Sequence, residues 1–292
     1  MTPDHGNKPV DELSGVETTG HEWDGIKELN NPLPRWWLWT FYGCIAIALI
    51  YSVLYPAWPL LTSATPGVLG YSSRADLEKE MSDVGAAQQA TVQRIAALPL
   101  QEIAADPDLS RFATVSGAST FKVNCSQCHG TGAEGAAGYP NLNDDAWIWG
   151  GTLDDIYTTI SHGARSPTDP DTRFNLMPNF GSDGILDPQA IQSVAGYVAS
   201  LSGLEGGADT PEGRQLFADN CAACHGPTGK GMRENGAPDL SDQIWLYQGS
   251  LAAIEQQIGK PRHGVMPAWT GKLSDTRIKE LAVYVHGLGG GQ

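Results

Sequence analysis

Cys125-Ser126-Gln127-Cys128-His129 decides the reading of this chain, because the pattern returns as Cys221-Ala222-Ala223-Cys224-His225. Cys-x-x-Cys-His is the sequence to which c-type haem is attached. Two thiols one helical turn apart reach the two vinyl groups on one porphyrin edge, and the adjacent imidazole then faces the iron. A zinc site or a redox Cys-x-x-Cys pair is the rival for a single copy. Two copies that use four of the five cysteines, each followed by glycine (Gly130, Gly226), favour haem. The expected cofactors are two covalently bound haem c, held by Cys125, Cys128, Cys221 and Cys224, with His129 and His225 as proximal iron ligands. The fifth cysteine, Cys44, lies in an apolar run and reads as inert. No structural disulfide is expected.

From Arg111 onward the chain repeats around these motifs. Gly117, Phe121 and Asn124 recur as Gly213, Phe217 and Asn220, at the same offset of 96 as the motifs. Pro140, Leu142, Asp144, Trp147 and Gly151 recur at an offset of 98 as Pro238, Leu240, Asp242, Trp245 and Gly249. Met177-Pro178 answers to Met266-Pro267. Leu186, Ile191, Tyr197 and Val198 recur 87 residues later as Leu273, Ile278, Tyr284 and Val285. The falling offset locates an insertion between His162 and Met177. Each repeat opens on a helix carrying Phe121 or Phe217 and closes on another. Asp187-Pro188 starts the first closing helix and Ser274 caps the second. Ile191, Val194, Val198 and Leu201 share one face, as do Ile278, Leu281, Val285 and Leu288. Two repeats are too few for a solenoid, so the reading is two tandem domains, 111–204 and 205–292.

The chain has five methionines. Met1 lies in the leader, Met81 in a connector and Met232 in a Gly-rich loop. Met177 and Met266 are matched, and the proline after each holds it in extended backbone, as suits a loop that presents a thioether. Both are expected as axial haem iron ligands, alongside His129 and His225. Met/His ligation raises the reduction potential and fills all six positions. Ordinary core methionines are the plain alternative. His162 and His263 also match and stand as rival ligands or as outer residues; His286 reads as structural. Trp147 and Trp245 read as core over a macrocycle, or as indole N–H donors to a haem propionate. Arg165, Arg173 and Arg262 are cations that could pair with propionates.

Before the repeats, Trp36 to Tyr55 is 20 residues without a charge. At 1.5 Å per residue such a helix is about 30 Å long, the thickness of a bilayer core. Trp36, Trp37 and Trp39 mark one interface, Tyr55 and Trp58 the other. The acidic leader and the lack of an A-x-A-like site speak for an uncleaved anchor over 36–58 rather than a signal peptide. Residues 1–35 read as a largely disordered cytoplasmic acidic tail, with His5 and His21 solvated. Residues 59–110 read as a periplasmic helical connector in which Ser73 caps a helix ending at Pro99. Lys27 and Arg35 precede the anchor and the next basic residue is Arg74, which places the N-terminus in the cytoplasm. The net charge of −15 argues against a nucleic-acid partner and for a basic one.

The fold class that follows is mainly α: one N-terminal transmembrane helix, then two tandem class I cytochrome c domains. Two six-coordinate irons leave no open position for a substrate, which favours electron transfer over chemistry at these centres. With these features the chain resembles subunit III, the membrane-anchored dihaem subunit, of cbb3-type cytochrome c oxidase. The most specific carriers are Asn31-Pro32-Leu33-Pro34-Arg35-Trp36-Trp37-Leu38-Trp39 and Tyr55-Pro56-Ala57-Trp58-Pro59. The resemblance implies a single-pass protein of the bacterial inner membrane with periplasmic haem domains. It implies as partners a haem-copper catalytic subunit and a monohaem cytochrome subunit. Electrons would come from a soluble or membrane-bound cytochrome c or a cytochrome bc1 complex, and oxygen would be reduced in the catalytic subunit.

Three rivals stand beside it: a dihaem carrier serving a periplasmic dehydrogenase, a dihaem peroxidase, and a scaffold subunit. A peroxidase needs an iron that can open, against which the matched methionines speak. Asp169, Asp171, Asp183 and Asp187 cluster near the first Met loop and read either as a docking face for a basic donor or as a solvated acidic loop.

Overall fold

Asp24-Gly25 turns the acidic leader back on itself. The computed structural model describes residues 9–289, so the expectations for Met1 and His5 lie outside it. The chain divides into two units, residues 1–86 and 87–292. In the first, β1 (Thr18–Trp23) pairs antiparallel with β2 (Ile26–Leu29), Trp23 opposite Ile26. Asp24 and Gly25 have φ of 48° and 82°. Positive φ at both central residues is the type I′ geometry that matches strand twist. The leader was expected to lack regular structure; its Asp-Gly turn between β-forming residues instead makes a ribbon. His21 is exposed and meets the Trp23 ring edge-on at 5.4 Å.

Helix α1 (Arg35–Leu54) follows Pro34 and contains no buried residue. Cys44 is exposed on it. The helix ends before Pro56, whose ring would clash with the preceding turn. The chain then folds back, so that the amides of Val68 and Leu69 donate to the carbonyls of Val53 and Leu54 at 2.9 and 3.1 Å. Helix ends leave such carbonyls unpaired, and here the returning loop satisfies them. Gly67, at φ +71°, makes the approach possible, since a Cβ there would collide with the Leu54 carbonyl. Helix α2 (Ser73–Ala97) spans the division between the units. Its first turn is capped by the Ser72 hydroxyl, which accepts from Ala75 N at 3.3 Å, rather than by Ser73 as the sequence suggests.

The second unit continues with α3 (Leu100–Ala105), α4 (Pro107–Asn124), α5 (Ser126–His129) and α6 (Leu153–His162). Then come α7 (Pro188–Leu201), α8 (Pro211–Asn220), α9 (Ala222–His225), α10 (Leu251–Gly259) and α11 (Asp275–His286). The repeats follow one another in sequence as expected, but their closing segments are exchanged in space. Helix α11, which ends the second repeat, packs on α4 and α6 of the first; α7 packs on α8 and α10 of the second. Phe121 meets Tyr284 at 5.4 Å and 58°, while Phe217 meets Tyr197 at 5.3 Å and 60°. Matched glycines sit at both crossings. A Cβ on Gly117 would collide with the Glu280 carbonyl and lie 2.7 Å from Tyr284 Cβ. One on Gly213 would lie 2.5 Å from the Ser193 carbonyl and 3.0 Å from Tyr197 Cβ.

Two apolar cores result. One holds Ile95, Ile103, Leu109, Phe121, Ile156 and Ile160 with Ile278, Leu281 and Val285. The other holds Phe180, Val194, Tyr197, Val198, Phe217, Ile254 and Ile258. The second core is drawn wholly from residues between the two stretches that build the first, so the domains are nested. A boundary at 204/205 divides the sequence repeats; the packing crosses it.

Candidate haem centres

Each attachment motif is presented by the same local construction. Helix α4 stops at Asn124, and Cys125 N donates to Phe121 O at 2.8 Å. The amides of Cys128 and His129 then donate to Cys125 O at 3.1 and 3.0 Å, making the short turn of α5. In the second copy Cys221 N reaches Phe217 O at 2.8 Å, and Cys224 N and His225 N reach Cys221 O at 3.1 and 2.9 Å. Gly130 and Gly226 follow with φ of 82° and 75°, a turn that favours glycine. Past the turn, Pro140 and Pro238 return over the imidazoles. His129 Nδ1 lies 3.0 Å from Pro140 O, and His225 Nδ1 lies 3.0 Å from Pro238 O.

That second contact fixes the chemistry of each ring. A carbonyl accepts from Nδ1–H, so Nε2 keeps its lone pair and a fixed direction, the arrangement usual for metal-binding histidines. Burial pulls both imidazoles below the ordinary histidine range, against the opposing effect of the carbonyl bonds, and so favours the neutral, ligating form. Burial, and then the neighbouring cysteine, pushes the Cys125 and Cys221 thiols up to about 11. Cys128 and Cys224 are exposed.

Both constructions open on one cavity of about 780 Å³, lined by all four motif cysteines, His129, His225, Met177 and Met266. The methionines reach it by the exchanged route. Met266 packs against the core that contains Phe121, and Met177 against the core that contains Phe217. Met266 pairs through its backbone with Ala164, N to O in both directions, at 2.9 and 3.0 Å. Met177 N donates to His263 Nε2 at 3.0 Å. The matched histidines therefore differ in role. His263 positions the Met177 segment, whereas His162 bonds Asp169 at 3.1 Å and does not line the cavity. Met232 is also off the cavity, and its sulfur accepts from Asn235 Nδ2 at 3.8 Å. Met81 is exposed on α2.

The donor set fits covalent haem, and so does an orphaned donor. Trp245 lines the cavity with its Nε1 buried and without a partner among the described residues, as an indole that binds a propionate would be. Gly249 and Gly151 give Trp245 and Trp147 their places, since a Cβ would lie 2.8 and 2.7 Å from the respective rings. Of the three arginines, Arg173 pairs with Asp155 at 3.1 Å and Arg262 stacks on Tyr247 at 4.1 Å. Arg165 lines the cavity without a carboxylate partner among the described residues. The four acids near the first Met loop have local partners. Asp187 caps α7 through Gln189 N and Ala190 N, Asp169 bonds His162, and Asp183 accepts from Asn179 at 3.4 Å. Asp171 donates its amide to Asp169.

Comparison with known proteins adds three family matches. Residues 15–62 match the N-terminal domain of cytochrome oxidase-cbb3, FixP; 114–202 match cytochrome c; 208–285 match cytochrome c oxidase, cbb3-type, subunit III. The chain is 56% identical over 287 residues to the cbb3-type cytochrome c oxidase subunit FixP of Sinorhizobium medicae, covering 98% of this chain and 99% of the relative. Against subunit CcoP of Cereibacter sphaeroides the identity is 50% over 287 residues, 98% and 99% of the two chains. Against FixP of Bradyrhizobium diazoefficiens it is 51% over 284 residues, 97% and 98%.

Proposed function

The chain belongs to the family of subunit III of cbb3-type cytochrome c oxidases, and on that premise we propose that it passes electrons through two centres of crossed composition. It is an electron-transfer subunit rather than the catalytic one. The first centre joins Cys125, Cys128 and His129 to Met266, and the second joins Cys221, Cys224 and His225 to Met177. The observation that carries this pairing is the packing of each methionine in the core of the other repeat's motif.

Bound haem c supplies a one-electron iron couple at each centre. The chain does the rest. Four cysteines would anchor the macrocycles, the carbonyls of Pro140 and Pro238 aim the imidazoles, and the thioethers would favour the reduced iron. A histidine and a methionine held by each iron would leave neither centre a position for oxygen or peroxide.

Helix α1 fits an inner-membrane anchor, with the N-terminus cytoplasmic and the haem domains periplasmic on the distribution of Lys27, Arg35 and Arg74. The partners this reading assigns are a haem-copper catalytic subunit, a monohaem cytochrome subunit, and a cytochrome c or cytochrome bc1 donor. Mass measurement of the denatured chain, made in cells that attach haem, should find two haems. Detergent extraction should bring the chain out with a haem-copper subunit. A chain that purifies with a periplasmic dehydrogenase and no haem-copper protein would overturn the oxidase assignment.

A further inference from the structure

The two segments that carry Met177 and Met266 are tied together by one side chain. Arg165 Nε donates to the carbonyl of Gly264 at 2.6 Å, and Nη1 to the carbonyl of Asn175 at 3.4 Å. Each carbonyl belongs to the residue two before a methionine. Arg165 sits in the crossing segment itself, next to Ala164, whose backbone pairs with Met266. Its φ is 55°, the left-handed region, in which a side chain other than glycine is held only by its surroundings. The guanidinium is half-buried and lines the cavity shared by both attachment motifs. Nη2 has no hydrogen-bond partner, and no Asp or Glu forms an ion pair with the group, among the described residues. Burial pulls its pKa below the ordinary arginine value.

A cation drawn partly out of water is stabilised by a counter-charge. None of the described carboxylates pairs with it, and haem, which the donor set of the cavity fits, carries carboxylates. We propose that Arg165 is the shared cation of the two centres, binding haem propionate with its free donors and raising both reduction potentials. The proposal rests on the two-haem reading. Fork-shaped guanidinium suits a carboxylate, and a positive charge near an iron disfavours its ferric form. Arg173 is paired with Asp155 and does not line the cavity; Arg262 lines it, stacked on Tyr247, but forms no bond to either methionine segment among the described residues.

The test uses the full chain in detergent with its haems attached. Arg165→Gln keeps a polar side chain and removes the charge; Arg165→Lys keeps the charge and loses the fork. Haem is counted first by pyridine haemochrome, so that absence of two haems counts against the two-haem reading and not against Arg165 itself. With two haems present, potentiometric titration should show both midpoint potentials lowered in the Gln variant and both close to the parent in the Lys variant. Resonance Raman propionate bending modes should move in both variants, because both lose the fork. If only one potential falls, the charge is not shared. If Lys lowers the potentials as far as Gln does, or if the propionate modes stay in place, Arg165 only ties the two segments together and the proposal is wrong.

Discussion

Glu280 is 1% exposed, and a buried carboxylate needs a partner. It accepts from Ser116 Oγ at 2.6 Å and pairs with Arg277 at 3.0 Å. At the matched crossing the types are reversed: Ser193 Oγ lies 3.2 Å from Glu212. Had each repeat closed on itself, Ser116 would face Ser193 and Glu212 would face Glu280. Two carboxylates about 4 Å apart repel by roughly 4 kcal/mol at an effective dielectric constant near 20. These four residues therefore discriminate the exchanged packing from the unexchanged one. Ser116→Glu with Glu212→Ser should lower the thermal unfolding midpoint, and adding Ser193→Glu with Glu280→Ser should restore most of it. A midpoint unmoved by the first pair would remove these residues as the discriminator. Gly117→Ala should cost about 1–3 kcal/mol by overpacking against Glu280 and Tyr284, measured by denaturant unfolding of the haem-loaded chain.

At the scale of elements, the attachment turns, the anchor and both closing helices were legible because each rests on local chemistry: Cys-x-x-Cys-His, an uncharged run, a cap followed by one apolar face. The partner of each closing helix was not legible from the apolar pattern. Tyr197 and Tyr284, or Phe121 and Phe217, are chemically the same, so either pairing buries the same surface. The hairpin in the leader was missed although Asp24-Gly25 marks it. Because α11 closes the first centre, a stop after Gly264 should remove the thioether-to-iron absorption of the haem on Cys125 and Cys128. The haem on Cys221 and Cys224 should keep its own. Met266→His and Met177→His make the same assignment without truncation. The former should lower the potential of the first haem and the latter that of the second, each staying low-spin. If each substitution instead acts on the haem of its own repeat, Met177 on the first and Met266 on the second, the crossed ligation is wrong. Ser274→Ala should destabilise α11 by ~1 kcal/mol, because its side chain accepts from Arg277 N.

For the molecule as a whole, nesting changes what a cut means. Residues 203–207 contain three glycines and lie where tandem domains would be joined. A protease that nicks there should leave both fragments bound to each other with both haems low-spin, since each fragment holds part of each core. Separation of the fragments on size exclusion in native buffer would contradict the packing. In the proposed orientation, nesting also sets a timetable for the residues after α1 as they cross the membrane in chain order. Everything in the second core has emerged once residue 258 is outside, whereas the first core waits for α11. The haem attached first in sequence is thus enclosed last, and until the final helix arrives its far face lies open to the compartment into which it has been delivered.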